Sequence, residues 1–282
     1  MSLKEKARDW IKTVVAPHIG KNIRSFKWST YTGEMGHNQL GGVIFLQPAE
    51  GKVVEKDDEF TLIKTGPANF TVIVTGLLSD PVTVEDKVTV KFYQPRRFDG
   101  TAADGSEDPS TNGSRTIMLT GVKTLFPAKW EGRYLCINER HAATYTEIQN
   151  PYLRDMLEQM EAMPVDGGLR HAVNVLVDAG AQDLQFIDPS EADSVDTPPG
   201  LSMRIANGKF AGTLYLGYDR GADTYFLELT RADGSDKRRL DDIHFNELGP
   251  RLIEEIDDRE WLKARVTITK KAPKKKPQPE LV

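Results

Sequence analysis

Val82-Thr83-Val84-Glu85-Asp86-Lys87-Val88-Thr89-Val90-Lys91-Phe92-Tyr93 decides how the first half of the chain is read. From Lys87 onward Val88, Val90 and Phe92 fall on one side, and Lys87, Thr89, Lys91 and Tyr93 on the other. That two-residue period is the mark of a strand with one buried face. Upstream, Ile23 to Trp28 alternates, and Val43-Ile44-Phe45-Leu46, Val53-Val54, Phe60-Thr61-Leu62-Ile63 and Phe70-Thr71-Val72-Ile73-Val74 are separated by Gly, Pro and Asp clusters. Downstream, Asp99 to Ser114 reads as a surface loop, and strands resume at Thr116-Ile117-Met118-Leu119 and Arg133-Tyr134-Leu135-Cys136-Ile137. Short strands at such spacing predict a small barrel or sandwich.

With Asp86 ahead of the alternating Val88-Thr89-Val90 run, this segment resembles OB-like and SH3-like barrels. The resemblance implies a barrel- or sandwich-like part and transfers no residue roles.

Helices flank the strands. Ser2 and Glu5 form a capping-box pattern, and Leu3, Ala7, Trp10, Ile11, Val14 and Val15 share a face until Pro17. Asn150-Pro151 opens a second helix with Leu153, Met156, Leu157, Met160 and Met163 as its stripe, and a third is expected from about Gly168 to Ala179. Residues 188–200, acidic and closed by Pro198-Pro199-Gly200, read as a linker. Beyond it, Met203 to Thr269 suggests β-β-β-α-β, with a hairpin turn at Asp233-Gly234 and a helix beginning near Gly249-Pro250.

The expected class is therefore α+β and β-rich. Its expected division is a helix plus barrel-like part over 1–148, a helical segment over 149–187, the linker 188–200, a small α+β domain over 201–270 and a disordered basic tail over 271–282.

Composition narrows the function. The single Cys136 excludes an internal disulfide and a four-cysteine zinc site, which fits a reducing compartment. No apolar run reaches the ~20 residues that span a bilayer, and the charged N-terminus lacks a signal core, so the expectation is a cytoplasmic chain with no membrane partner. The net charge is −5, yet five lysines against Glu280 leave residues 270–282 at +4, so the body carries −9. Only local basic patches could attract a polyanion.

No phosphate-binding Gly loop, dinucleotide fingerprint, nucleophile elbow or metalloprotease helix is found, so no cofactor, no metal and no catalytic residue are expected. Glu34 with His37 reads as a polar loop. Cys136, near His141, reads as a small apolar strand residue, and Asp241-Asp242 and Asp257-Asp258 read as solvated acids. Met156, Met160 and Met163 read as core. The distinctive stretch is 87–98, where Lys87, Lys91, Arg96 and Arg97 occur with no acid and Tyr93 and Phe98 interleave. On a barrel strand, such a stretch would set rings for base stacking beside cations for phosphates. The leading expectation is a non-catalytic accessory protein binding single- or double-stranded nucleic acid through Lys87, Lys91, Tyr93, Arg96, Arg97 and Phe98. The alternatives are a protein–protein assembly module and an enzyme with an unrecognised site.

Overall fold

The structure, a computed structural model, describes residues 1–34, 36–37, 43–103, 106–107, 125–135, 145–166 and 170–273, with only the backbone given at 36–37 and 43–44. The chain begins with α1 (Leu3–Val14), β1 (Lys27–Tyr31), β2 (Gly36–His37), β3 (Val43–Ile44), β4 (Ala49–Lys56), β5 (Phe60–Gly66), β6 (Asn69–Val74) and β7 (Lys87–Lys91). Next come β8 (Ala128–Trp130), β9 (Arg133–Tyr134), β10 (Thr146–Ile148), α2 (Pro151–Ala162), β11 (Pro164–Val165), β12 (Arg170–His171), α3 (Ala172–Asp178) and β13 (Gln182–Ile187). The remainder is β14 (Gly200–Ala206), β15 (Ala211–Asp219), β16 (Thr224–Arg231), β17 (Lys237–Ile243), α4 (Phe245–Ile256) and β18 (Arg265–Lys270). Contacts divide the chain into one unit of residues 1–36, 44–93 and 261–282 and a second of 37–43 and 94–260.

The first unit is a six-stranded sheet in the order β1-β6-β5-β4-β7-β18. β1 runs parallel to β6, and the other pairs are antiparallel. β5 and β6 are buried on both faces. Phe60, Leu62, Phe70 and Val72 pack with Ala7, Ile11 and Val15 of α1 and its end, whereas Ile63 and Ile73 face a second core with Val88, Val90, Ala264 and Val266. This explains why apolar residues of β5 fall on both of its sides, Phe60 and Leu62 on one and Ile63 on the other. α1 is fixed by the expected box, with Ser2 N–H donating to Glu5 Oε2 at 2.8 Å and Glu5 N–H to Ser2 Oγ at 3.2 Å. Alone, twelve residues would be a marginal helix, so burial of its apolar face supplies most of its stability.

The second unit carries an antiparallel meander, β13-β14-β15-β16-β17, with α2, α3 and α4 in the same core as its inward residues Leu201, Met203, Leu214, Leu216, Leu227 and Leu229. Asn150 caps α2 by accepting from Tyr152 N and Leu153 N at 2.9 and 3.1 Å. Arg170 is 1 % exposed and bonded to Asp166, Asp178 and Asp257 at 2.8, 3.0 and 2.5 Å, a buried cation enclosed by three carboxylates. On the outward face Phe226 is nevertheless buried. It lies against Gly217 under the Arg239 guanidinium, 3.7 Å from the ring centroid.

The expected mixed, strand-rich class is found, with four α-helices among the described residues, while several finer expectations differ from the structure. No pairing joins β1 to β18 there, so the six-stranded sheet is open and the barrel closure is not found. The strand expected within 201–270 as part of a small domain is β18, and it pairs with β7 in the first sheet. Alternation identifies a strand but not its neighbour. Residues 188–200 are bonded to the α2 cap: Asp188 accepts from Gln149 N and Asn150 N, and the Asn150 side chain donates to Pro189 O and Ser194 Oγ. The helix expected at Gly249-Pro250 starts earlier, at Phe245, and contains Pro250. α3 starts at Ala172 rather than near Gly168, because Arg170 and His171 pair with β11. Ala272, expected in the free tail, donates its N–H to Asp86 Oδ1 at 2.7 Å. The strand expected at 116–119 and residues 274–282 lie outside the described residues.

Candidate functional site

The basic and aromatic stretch 87–98 is divided between the two units, and its side chains differ in exposure within each. Lys87 and Lys91 are exposed on β7, in phase with buried Val88 and Val90. Tyr93 is 7 % exposed and packs edge-on against Trp261 with centroids 4.6 Å apart, and Phe92 packs on Tyr31 at 4.9 Å. Their rings are core elements, unable to stack on a base. Arg96, Arg97 and Phe98 belong to the second unit. Arg96 donates to Gly100 O at 2.6 Å and lies 3.4 Å from Glu107. Arg97 is buried, donating to Thr101 Oγ1 and Ala103 O. Phe98 packs on Phe126 at 5.5 Å. Of the six expected residues, only Lys87 and Lys91 share one open face within a single unit.

The fold adds new partners to these two. In the β7–β18 ladder Arg265 lies directly across from Lys91, Thr267 from Thr89 and Lys270 from Lys87. Arg265, Thr267 and Lys270 are exposed. Among the described residues none of Lys87, Lys91, Arg265 and Lys270 has a carboxylate partner. On the other side of β7, Glu50 pairs with Thr89 and Lys52 with Lys87, and Lys52 is bridged to Glu85. The positions just named, all among the described residues, are five cations and two carboxylates, one of which is already engaged.

Local chemistry fixes the start of β7. Asp86 is 3 % exposed and accepts from Thr83 N, Thr83 Oγ1 and Ala272 N at 2.8, 3.0 and 2.7 Å. These bonds, the Thr83 amide foremost, hold its carboxyl below the usual range. One side chain thus ties the turn before β7 to the backbone just after β18, which keeps the two cationic rows side by side.

The chain matches no family model, no curated protein and no solved structure.

Other expected candidates separate cleanly. Asp257 belongs to the Arg170 cluster, and Asp258 accepts from Gly208 N and Glu260 N, so these acids are structural. Asp241 is bonded to Arg239. Met156, Met160 and Met163 are core residues. Glu34 is exposed, while the side chain of His37, and Cys136 and His141 altogether, lie outside the described residues. Arg265 and Lys270 were missed as candidates, although the alternation of Arg265-Val266-Thr267-Ile268 already announced an outward cationic row.

Proposed function

We propose that the chain is a non-catalytic accessory protein whose β7–β18 face holds the phosphate backbone of nucleic acid. The observation that carries this is the pair of like-charged positions, Arg265 opposite Lys91 and Lys270 opposite Lys87. Like charges directly across a ladder destabilise it. Charge on an edge strand has an ordinary use, since it discourages edge-to-edge pairing, and β18 is an edge. That use does not account for Lys87 and Lys91, because β7 lies between β4 and β18. A polyanion bound across both strands would turn the repulsion into attraction.

A lipid surface fits this face less well. The large apolar side chains exposed among the described residues are Met1, Val84, Val195 and Phe245, none of them on these strands, so nothing there inserts into a bilayer. Phe92 and Tyr93 are buried, so neither ring is offered to a base. The reading is therefore backbone contact, indifferent to sequence and equally open to duplex. The negative remainder of the chain keeps the affinity low.

Fluorescence anisotropy with labelled duplex and single-stranded oligonucleotides tests it. Four phosphate contacts predict a slope near −3.6 in log affinity against log salt on duplex, roughly a hundredfold loss between about 50 and about 200 mM salt. Lys87→Gln with Lys91→Gln should flatten that slope by about two. No binding at low salt, an unchanged slope in the double variant, or preference for anionic vesicles over DNA would each defeat the proposal.

A further inference from the structure

A pocket in the second unit lies at one end of the β15–β16 hairpin. Tyr152, Asp155 and Gln159 of α2, Tyr218 of β15, Asp223 of the turn and Tyr225 of β16 line a pocket of about 880 Å³, within the size range of small-molecule sites. The Tyr152 and Tyr218 rings stack at 5.7 Å with 22° between planes, and Tyr225 stands at 58° to Tyr218, 5.8 Å away. Three phenol rings thus form a continuous wall.

The hairpin's own chemistry builds that wall. Asp219 Oδ1 accepts from Gly221 N and Ala222 N at 2.8 and 3.1 Å, closing the turn. Asp223 has φ 57°, a left-handed conformation that Asp tolerates better than most residues. From there its carboxylate receives the Tyr218 hydroxyl at 2.5 Å, while the Tyr225 hydroxyl donates to Gln159 Oε1. Both phenol protons are committed within the wall, which leaves oxygen lone pairs as the acceptors these two groups offer.

We infer that this pocket binds an organic ammonium group, held against the tyrosine rings and the carboxylates of Asp155 and Asp223. Ring faces and carboxylates both attract a cation. Among the described residues no lysine or arginine lines the pocket. The two nearby arginines are engaged: Arg154 bonds Asp155 at 2.6 Å and covers Trp130, and Arg220 donates to Glu191 O at 3.1 Å. Arg220 also shows the attraction at work, its guanidinium 4.9 Å from the centre of the Tyr152 ring. Arg154 offsets part of the charge of Asp155, which leaves Asp223 as the stronger counter-ion. The start of α4, with His244 and Asn246, also reaches the pocket and by its dipole would favour an anion. Glu247, which accepts from His244 N at 3.2 Å, already supplies negative charge to that turn.

Calorimetry on the full chain with choline, its uncharged isostere 3,3-dimethylbutan-1-ol and the anion 3,3-dimethylbutanoate separates the outcomes. Choline should bind at least about tenfold more tightly than the isostere. Asp223→Asn should remove most of that preference. Should that variant fail to fold, as judged by circular dichroism, Asp155→Asn takes its place with a smaller loss expected. Equal binding of choline and the isostere, or stronger binding of the anion, overturns the ammonium assignment, and absence of binding by all three at about 10 mM overturns the pocket as a binding site. A peptide carrying trimethyllysine binding about tenfold better than choline would support a polypeptide source for the ammonium, and equal binding a free one. Neither result bears on the β7–β18 face.

Discussion

Arg265 on β18 stands directly across the antiparallel ladder from Lys91 on β7, two exposed cations at one cross-strand position. Such a pair costs stability of the order of 0.2–1 kcal/mol relative to a neutral one. Lys91→Glu should therefore raise the midpoint of urea unfolding slightly while weakening oligonucleotide binding. Stability and binding moving in opposite directions is the signature of a cation retained for a ligand. A variant that loses stability would show that Lys91 serves the fold instead.

Arg170 makes the opposite prediction. It is 1 % exposed, and its bonds to Asp166, Asp178 and Asp257 gather residues from before β12, the end of α3 and the end of α4. Arg170→Met leaves three carboxylates around an apolar side chain, two of them buried. Removing one partner of a buried ion cluster typically costs about 3–5 kcal/mol. Chemical denaturation should show a loss of that size, and a loss below about 1 kcal/mol would mean that water reaches the cluster.

Alkaline titration tests the packing of the tyrosines. Burial, before any other cause, pushes Tyr31, Tyr215 and Tyr225 up to about 12, from 10.0 in the unfolded chain. Tyr218 is raised further, by burial and then by its bond to Asp223. The folded state thus favours the protonated phenols. Their contribution to stability is complete below pH 10.0 and is lost progressively as pH rises through the folded values. Of eight tyrosines, these four should remain un-ionised near pH 10.0 in tyrosinate absorbance and titrate only at higher pH or with unfolding. Eight groups ionising together near pH 10 would contradict this packing.

Gly217 is required by a close approach. A Cβ there would lie 2.2 Å from Cζ of Phe226, whose ring sits beneath Arg239 and edge-on to Tyr215 at 5.3 Å. Gly217→Ala should cost about 1–3 kcal/mol by displacing the ring. Adding Phe226→Leu should recover part of that loss, and simple additivity of the two changes would argue against direct contact.

Local sequence determined much of this protein. The Ser2–Glu5 box and the Asn150 cap placed two helices, and the alternation from Lys87 to Lys91 assigned its lysines outward and its valines inward. These features depend on sterics and hydrogen bonds within a few residues, so they can be read without knowing the rest of the chain. Tertiary structure decided what alternation leaves open. Thr269 donates to the Lys87 carbonyl across 182 residues, and no local pattern named β18 as the neighbour of β7. Tyr93 lies in phase with the exposed Lys91, yet Trp261 covers it. The three pocket tyrosines come from a helix and two strands whose convergence is a matter of packing. Strand choice and ring burial are settled by long-range contacts that compete globally for apolar surface, which is why the cations were legible one strand at a time and the surface they form was not.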